Sequence, residues 1–311
     1  MQQLGICVLY GQKYAQNWKI WLEENAKYFD IFYLNRPHIS VKYIDIIKNC
    51  AKGKVIYYGH DLHFLRIKRE YELNGDASLL KESNEWLEKE LYLMHKADMS
   101  YYPSNVEIEA IHEIDPAINA KAITAYIYEQ FPKIRYNMDQ REGLLFVGGF
   151  GHAPNVDAVK WFLNKIYPEI YKRTGAKFYI VGSSAPKEIQ NLSIEGVVVK
   201  GFVTEEELHQ LYQNTRIDVV PLRYGAGVKG KVVEGLHYGM PIVTTSVGVE
   251  GITGVEQVVA VADEEQKMID IICELYTNGD KLKEMSEESC LFVQKYFSID
   301  SVWNVIKDDF S

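Results

Sequence analysis

The sequence predicts an α/β protein built from two doubly wound parallel-sheet domains. Three observations lead there. Short apolar runs alternate with amphipathic stretches of helical period along most of the chain, which is the pattern of βαβ units covered on both faces. Through the second half, a Gly or Pro closes nearly every apolar run. The length, 311 residues of which 47% are hydrophobic, suits two domains of ordinary size with material for two cores.

Taken in order, residues 4–10 (Leu-Gly-Ile-Cys-Val-Leu-Tyr) read as a buried strand closed by Gly11. A helical stretch follows to about Tyr28, with Trp18, Trp21 and Leu22 on one face. Ile31 to Leu34 form the next strand, about Val41 to Cys50 a helix, and Lys54 to Tyr58 a third strand that runs out into Gly59-His60-Asp61. A long charged helical region spans about 62–96, interrupted near Asn74-Gly75-Asp76. Met99–Tyr102 and Ala122–Tyr126 read as short strands, and 129–142, polar and carrying Pro132, as the linker. The second domain then repeats the alternation. Its strands are expected at 144–147, 178–181, 197–199, 217–222, 242–245 and 258–261, and its helices at about 154–173, 205–214, 229–238 and 263–277. The region 280–310 is helical and aromatic-rich. The domains are expected at 1–135 and 136–294, with the C-terminal helix 295–311 packing back on the first.

Composition excludes several classes. A net charge of -9 argues against a general nucleic-acid or anionic-membrane binder, while leaving room for a local basic site. No apolar run approaches the ~18 residues that span a bilayer, and no signal-type N-terminus is present. Cys7, Cys50, Cys273 and Cys290 follow no metal or disulfide spacing, which points to core thiols in a reducing cytosol. The chain has no G-x-S-x-G, Walker A, H-E-x-x-H or D-x-D.

The chemistry-bearing stretch is Pro221-Leu222-Arg223-Tyr224-Gly225-Ala226-Gly227-Val228-Lys229-Gly230-Lys231-Val232-Val233-Glu234. It leaves a buried strand, turns through three glycines and enters a helix. Such a turn lets backbone approach a ligand and presents unpaired N–H groups with the positive end of a dipole. Arg223, Lys229 and Lys231 bring cations to it, and Lys231 and Glu234 share a helix face at i, i+3. A phosphate and a sugar hydroxyl of one nucleotide would fit; so would a plain strand–turn–helix joint with a surface ion pair. Four other places are candidates. Gly148-Gly149-Phe150-Gly151-His152-Ala153-Pro154-Asn155 runs from a strand through glycines into a helix and suits a diphosphate or a tight turn. Val203 precedes Thr204, which with Glu207 forms a capping box. His60-Asp61-Leu62-His63 suggests an acid–base group or metal ligands, although no further ligand cluster accompanies it. Ser246-Val247-Gly248-Val249-Glu250-Gly251 closes the strand at 242–245.

The central stretch resembles the donor-site signature of the family 4 (group 1) retaining glycosyltransferases, closest to the subset reading P-L-R-x-G-x-G-x-K/R-x-K-x-x-E-x-L-x-x-G-x-P. Gly148–Asn155 resembles that subset's G-G-F-x-H-x-P-N element, Asp61–Arg66 its D-L-H-x-x-R, and 248–251 the family's G-x-E-G loop. The resemblance covers about 143–253 almost completely, and 54–72 and 99–104 more thinly. It implies a GT-B fold of two facing Rossmann-like domains, here with a shortened N-terminal domain on the acceptor side. It also implies transfer of a sugar, with retention, from a UDP- or GDP-type donor to a saccharide or lipid-linked acceptor, as in bacterial surface polysaccharide synthesis.

By this resemblance His60, Lys231 and Glu234 are the catalytic candidates. Lys231 meets the diphosphate, Glu234 the ribose and His60 the reacting sugar. Gly149, Gly151, Asn155, Val203, Arg223, Gly227, Lys229, Glu250 and Gly251 line the donor. The family's usual first glutamate is replaced by Ala226, and the Arg and Lys that many members carry near Gly149 are absent. The lack of D-x-D fits a metal-independent reaction, so no metal and no cofactor is expected. The location implied is cytoplasmic, with a peripheral membrane contact or membership of a longer polypeptide left open. Two rivals remain: a nucleotide-sugar epimerase of the same fold, and a non-catalytic glycan- or partner-binding module of a larger transferase.

Overall fold

The computed structural model describes residues 2–133, 137–225 and 227–310. Among them lie two all-parallel sheets. The first contains β1 (Ile31–Asn35), β2 (Lys54–Tyr58), β3 (Met99–Tyr102) and β4 (Ala120–Ala122), in the order β1-β2-β3-β4. The second contains β5 (Leu144–Val147), β6 (Phe178–Val181), β7 (Val197–Gly201), β8 (Ile217–Val220), β9 (Ile242–Thr244) and β10 (Ala260–Val261), in the order β10-β9-β8-β5-β6-β7. The central strands β3 and β8 are buried at every position, as parallel strands sandwiched between helices must be. The larger core surrounds the second sheet. It joins Leu144, Phe146, Phe178, Ile180, Ile217 and Val219 to helix residues such as Val159, Phe162, Val233 and Ile272.

Several elements depart from the sequence expectation. Residues 4–10 form no strand: Gln2–Leu4 is a 3-10 turn, Gly5 and Gly11 take positive φ, and Leu4 and Tyr10 are 80% and 70% exposed. β1 remains the edge of its sheet, paired with β2 alone, so residues 4–10 make no ladder and their apolar composition does not by itself produce a strand. β4 lies two to four residues earlier than expected, at Ala120–Ala122, because its pairing with Ser100–Tyr102 sets its register. β8 stops at Val220, so Pro221 and Leu222 already belong to the loop. Of the cysteines expected in the core, Cys50 and Cys273 are half-buried against the two cores, Cys290 is half-buried and Cys7 is exposed. The expected domain boundary at 135/136 lies outside the described residues.

The chain crosses between the domains twice, and the crossings run side by side. Tyr128 in the connecting segment donates its N–H to Phe297 O and bridges to Ser298. Beyond it, helix Ile299–Ile306 leads to Asp309, which accepts from Tyr101 Oη and Lys121 Nζ of the first sheet. Ile306 packs with Ile56, Tyr58, Met99 and Tyr101 on that sheet. The last helix thus ties the first domain to the end of the second.

Candidate functional site

In the second sheet the strand order reverses between β5 and β8: β5, β6 and β7 run outward one way and β8, β9 and β10 the other. Loops leaving adjacent strands at such a point diverge and open a crevice beyond their carboxyl ends. The Gly148–Asn155 loop leaves β5 there and the Pro221–Lys229 loop leaves β8. They meet where the second loop enters helix Gly230–His237: Lys231 Nζ donates to Asn155 Oδ1 at 2.5 Å, and Asn155 Nδ2 donates to Gly149 O at 2.7 Å. Gly148 makes the meeting possible, since a Cβ there would lie 2.6 Å from Lys231 Nζ. The ammonium also lies 4.5 Å from the Phe146 ring centroid.

Lys231 is partly exposed, yet desolvation lowers its pKa to about 7 against the pull of Asp218. Asp218 is buried on β8, neither carboxyl oxygen has a partner among the described residues, and burial pushes it up to about 8. Glu234, one turn along the Gly230–His237 helix, accepts from Tyr212 Oη at 3.2 Å, and burial raises its pKa. The site therefore holds an under-solvated ammonium beside carboxyl groups that resist ionisation. An incoming diphosphate would supply the missing counter-charge.

The rest of the loop leans on the first domain. Arg69 donates to Gly225 O at 3.0 Å and to Glu250 at 2.7 Å. Lys229 is buried, donates to Gly227 O and lies 3.7 Å from Glu250; desolvation lowers its pKa. Glu250 is therefore an interdomain partner and not an exposed turn residue. Gly227, at φ +73, faces His60, Asp61 and Glu107. Gly251, at φ +79, faces Ser104, whose Oγ would lie 2.8 Å from an added Cβ. Neither position has room for a side chain.

His60 follows β2 in a left-handed conformation, φ 71. Its ring contacts Asn35 Oδ1 and stands 4.5 Å from the Tyr58 ring, and burial lowers its pKa. The loop behind it is fixed by Glu90, fully buried, which accepts from the N–H groups of His63 and Phe64 at the start of helix His63–Asn74.

Other predicted residues lie apart from this cluster. Arg223 is drawn away to Asp157 and also lies 5.9 Å from the Trp161 ring centroid. It still borders a cavity of about 430 Å³ between the domains, with Arg69, Tyr224 and Glu250. Val203 lines a separate cavity with Tyr179, Lys200 and Glu207, beside the Thr204–Glu207 capping box. Gly151 has open space around it. Ala226 lies outside the described residues. Among the described residues no cluster of three His, Cys, Asp or Glu is placed to hold a metal. Sequence reasoning had Gly148 only as part of its glycine turn and missed Arg69, Asp218 and Glu107. The last two left a trace: a lone Asp inside the apolar run Ile217–Val220, and a Ser104-x-x-Glu107 spacing that reads as an ordinary helix cap.

Residues 141–278 match the family described as glycosyl transferases group 1. That match takes in most of the second domain and none of the first sheet. A 174-residue stretch is 30% identical to an uncharacterized 44.6 kDa protein in the cps region of Klebsiella pneumoniae, covering 52% of this chain and 44% of that protein. Among solved structures, TarM superposes with a TM-score of 0.75 at 16% identity, covering 94% of this chain and 57% of its own. Sucrose-phosphate synthase from Thermosynechococcus elongatus gives 0.74 at 15%, covering 96% and 76%. The pneumococcal O-GlcNAc transferase GtfA, solved with UDP and GlcNAc, gives 0.70 at 15%, covering 97% and 60%. The fold is GT-B, with four strands in its first sheet against six in its second. The chain spans less than half the length of the curated relative it matches.

Proposed function

We propose that this chain is a retaining, metal-independent glycosyltransferase. It moves a hexose-type sugar from a nucleoside diphosphate to a saccharide or lipid-linked acceptor in surface polysaccharide or glycoconjugate synthesis. One observation carries the reading: Lys231, Asn155 and Gly148 converge at the switch point of the second sheet, with an ammonium held short of counter-charge. Two further findings support it. The second domain matches group 1 glycosyl transferases, and the GT-B neighbours include enzymes solved with UDP and a sugar. The cps-region relative supports the polysaccharide setting.

In this mechanism Lys231 and Lys229 neutralise the diphosphate as the sugar–oxygen bond breaks, the electrostatic contribution expected to dominate such a reaction. Glu234 holds the ribose, and His60 faces the sugar from the first domain. The leaving phosphate oxygen takes the acceptor's proton. The Arg69–Glu250 contact draws the first domain over the donor loop, and closure keeps out water that would hydrolyse the donor.

The test is a thermal-shift screen against UDP, GDP, ADP, CMP and dTDP, with magnesium or EDTA. A ligand that binds only the native state raises Tm by mass action. One nucleotide raising Tm with or without EDTA, and losing that effect in Lys231→Ala, is expected. No response to any of the five would refute the donor site and favour a non-catalytic module.

A further inference from the structure

Glu107 lies in the first turn of helix Asn105–Ile114 and is 1% exposed. Its Oε2 accepts from the Ser104 hydroxyl at 2.6 Å. Its Oε1 is buried and has no hydrogen-bond partner among the described residues. A buried polar atom left unpaired costs ~1–3 kcal/mol, and native proteins carry few of them.

The free oxygen points across the cleft at the donor loop. A Cβ on Gly227 would lie 3.1 Å from it, 3.4 Å from Asp61 Cβ and 3.9 Å from His60 O. Three groups of the first domain thus converge on a residue without a side chain, two positions before Lys229 and four before Lys231. A donor with its diphosphate at Lys231 and its sugar laid along this loop would meet the first domain here, beside the Glu107 carboxyl.

We propose that Glu107 is a sugar-selecting residue, its Oε1 hydrogen-bonding one ring hydroxyl of the donor; this rests on the glycosyltransferase reading above. Burial raises the carboxyl to about 7, with Ser104 and Lys229 opposing the rise. Near neutrality a substantial fraction is therefore protonated. In that form it presents a hydroxyl donor to the sugar and places no negative charge beside the diphosphate. A helix-capping role accounts for Oε2 and Ser104 but leaves Oε1 without a function.

The experiment is calorimetric titration of wild type, Glu107→Gln and Glu107→Ala with UDP, UDP-glucose, GDP and GDP-mannose. Losing one hydrogen bond of this kind costs about tenfold in affinity. Glu107→Ala is expected to bind the sugar nucleotide about tenfold more weakly while holding the bare nucleoside diphosphate as wild type does. Glu107→Gln, which keeps an acceptor for Ser104, shows a smaller loss of the same kind and carries the test if Glu107→Ala does not fold. Equal losses for both ligands, or none for either, would overturn the proposal and return Glu107 to a structural role. Failure of wild type to bind any of the four would instead bring down the glycosyltransferase reading, and this inference with it.

Discussion

Replacing Lys231 with methionine should stabilise the protein on its own while abolishing the nucleotide binding proposed above. Methionine keeps the length of the side chain and its packing over Phe146 but needs no counter-charge. The magnitude follows from proton linkage. Desolvation lowers Lys231 from 10.5 to about 7 in the folded protein, so folding is penalised whenever the unfolded chain is protonated. At 1.36 kcal/mol per tenfold change in proton affinity, the full penalty is about 4–5 kcal/mol below pH 7.

The sign is fixed by the direction of the shift. Between about 7 and 10.5 the unfolded chain binds more protons than the folded one, so wild-type stability rises with pH across that window. The methionine variant lacks this slope, and its advantage is greatest at pH 6 and fades toward pH 10. Relaxation around the ammonium reduces the figure, but even 1 kcal/mol shifts Tm by about 2 °C in a chain of this size. The assay is a melting curve of both proteins from pH 6 to 9.5, with and without 1 mM UDP or GDP (a concentration on the order of ordinary ligand screens). A variant that melts below wild type at pH 6 and still responds to nucleotide would refute the argument, because Lys231 would then be a satisfied structural cation.

Three other perturbations address the same site. Gly148→Ala places a methyl group 2.6 Å from Lys231 Nζ and 3.0 Å from Asn155 Cγ; nucleotide affinity should fall at least about tenfold, with far-UV circular dichroism unchanged. Asp218→Asn should flatten the loss of stability that wild type shows as pH rises from 3.8 to about 8, since a folded-state pKa above the unfolded value makes the folded form hold the extra proton; Tm measured at pH 5 and pH 8 checks this. Arg69→Ala removes its bonds to Glu250 and Gly225 O, which should raise donor KM by up to about tenfold and increase the radius of gyration in X-ray scattering; an unchanged KM would show that domain closure does not depend on this pair.

What the sequence determined by itself is the local grammar. Apolar runs of period two or none, bounded by glycine and proline, placed most strands within a residue or two, because buried parallel strands must be continuously apolar. The spacing of Lys231 and Glu234, and the glycines before the Ala153–Trp161 and Gly230–His237 helices, were readable for the same reason: helix entry and loop approach are local backbone matters. Residues 4–10 show the limit, since a strand exists only if another strand accepts its hydrogen bonds, and that is decided at a distance.

The tertiary structure alone decided which charges meet. Arg223 and Lys229 look equivalent in the sequence, yet one is held by Asp157 at the surface and the other is buried against Glu250. Asp218 and Glu107 acquire their raised pKa values chiefly from burial, and in part from Glu234 and Asp61 nearby, none of which a window of neighbours specifies. The physical reason is that desolvation and Coulomb interactions depend on through-space distance and dielectric surroundings. The order of residues along the chain fixes neither until the strand order of two sheets and the docking of two domains have brought distant segments together.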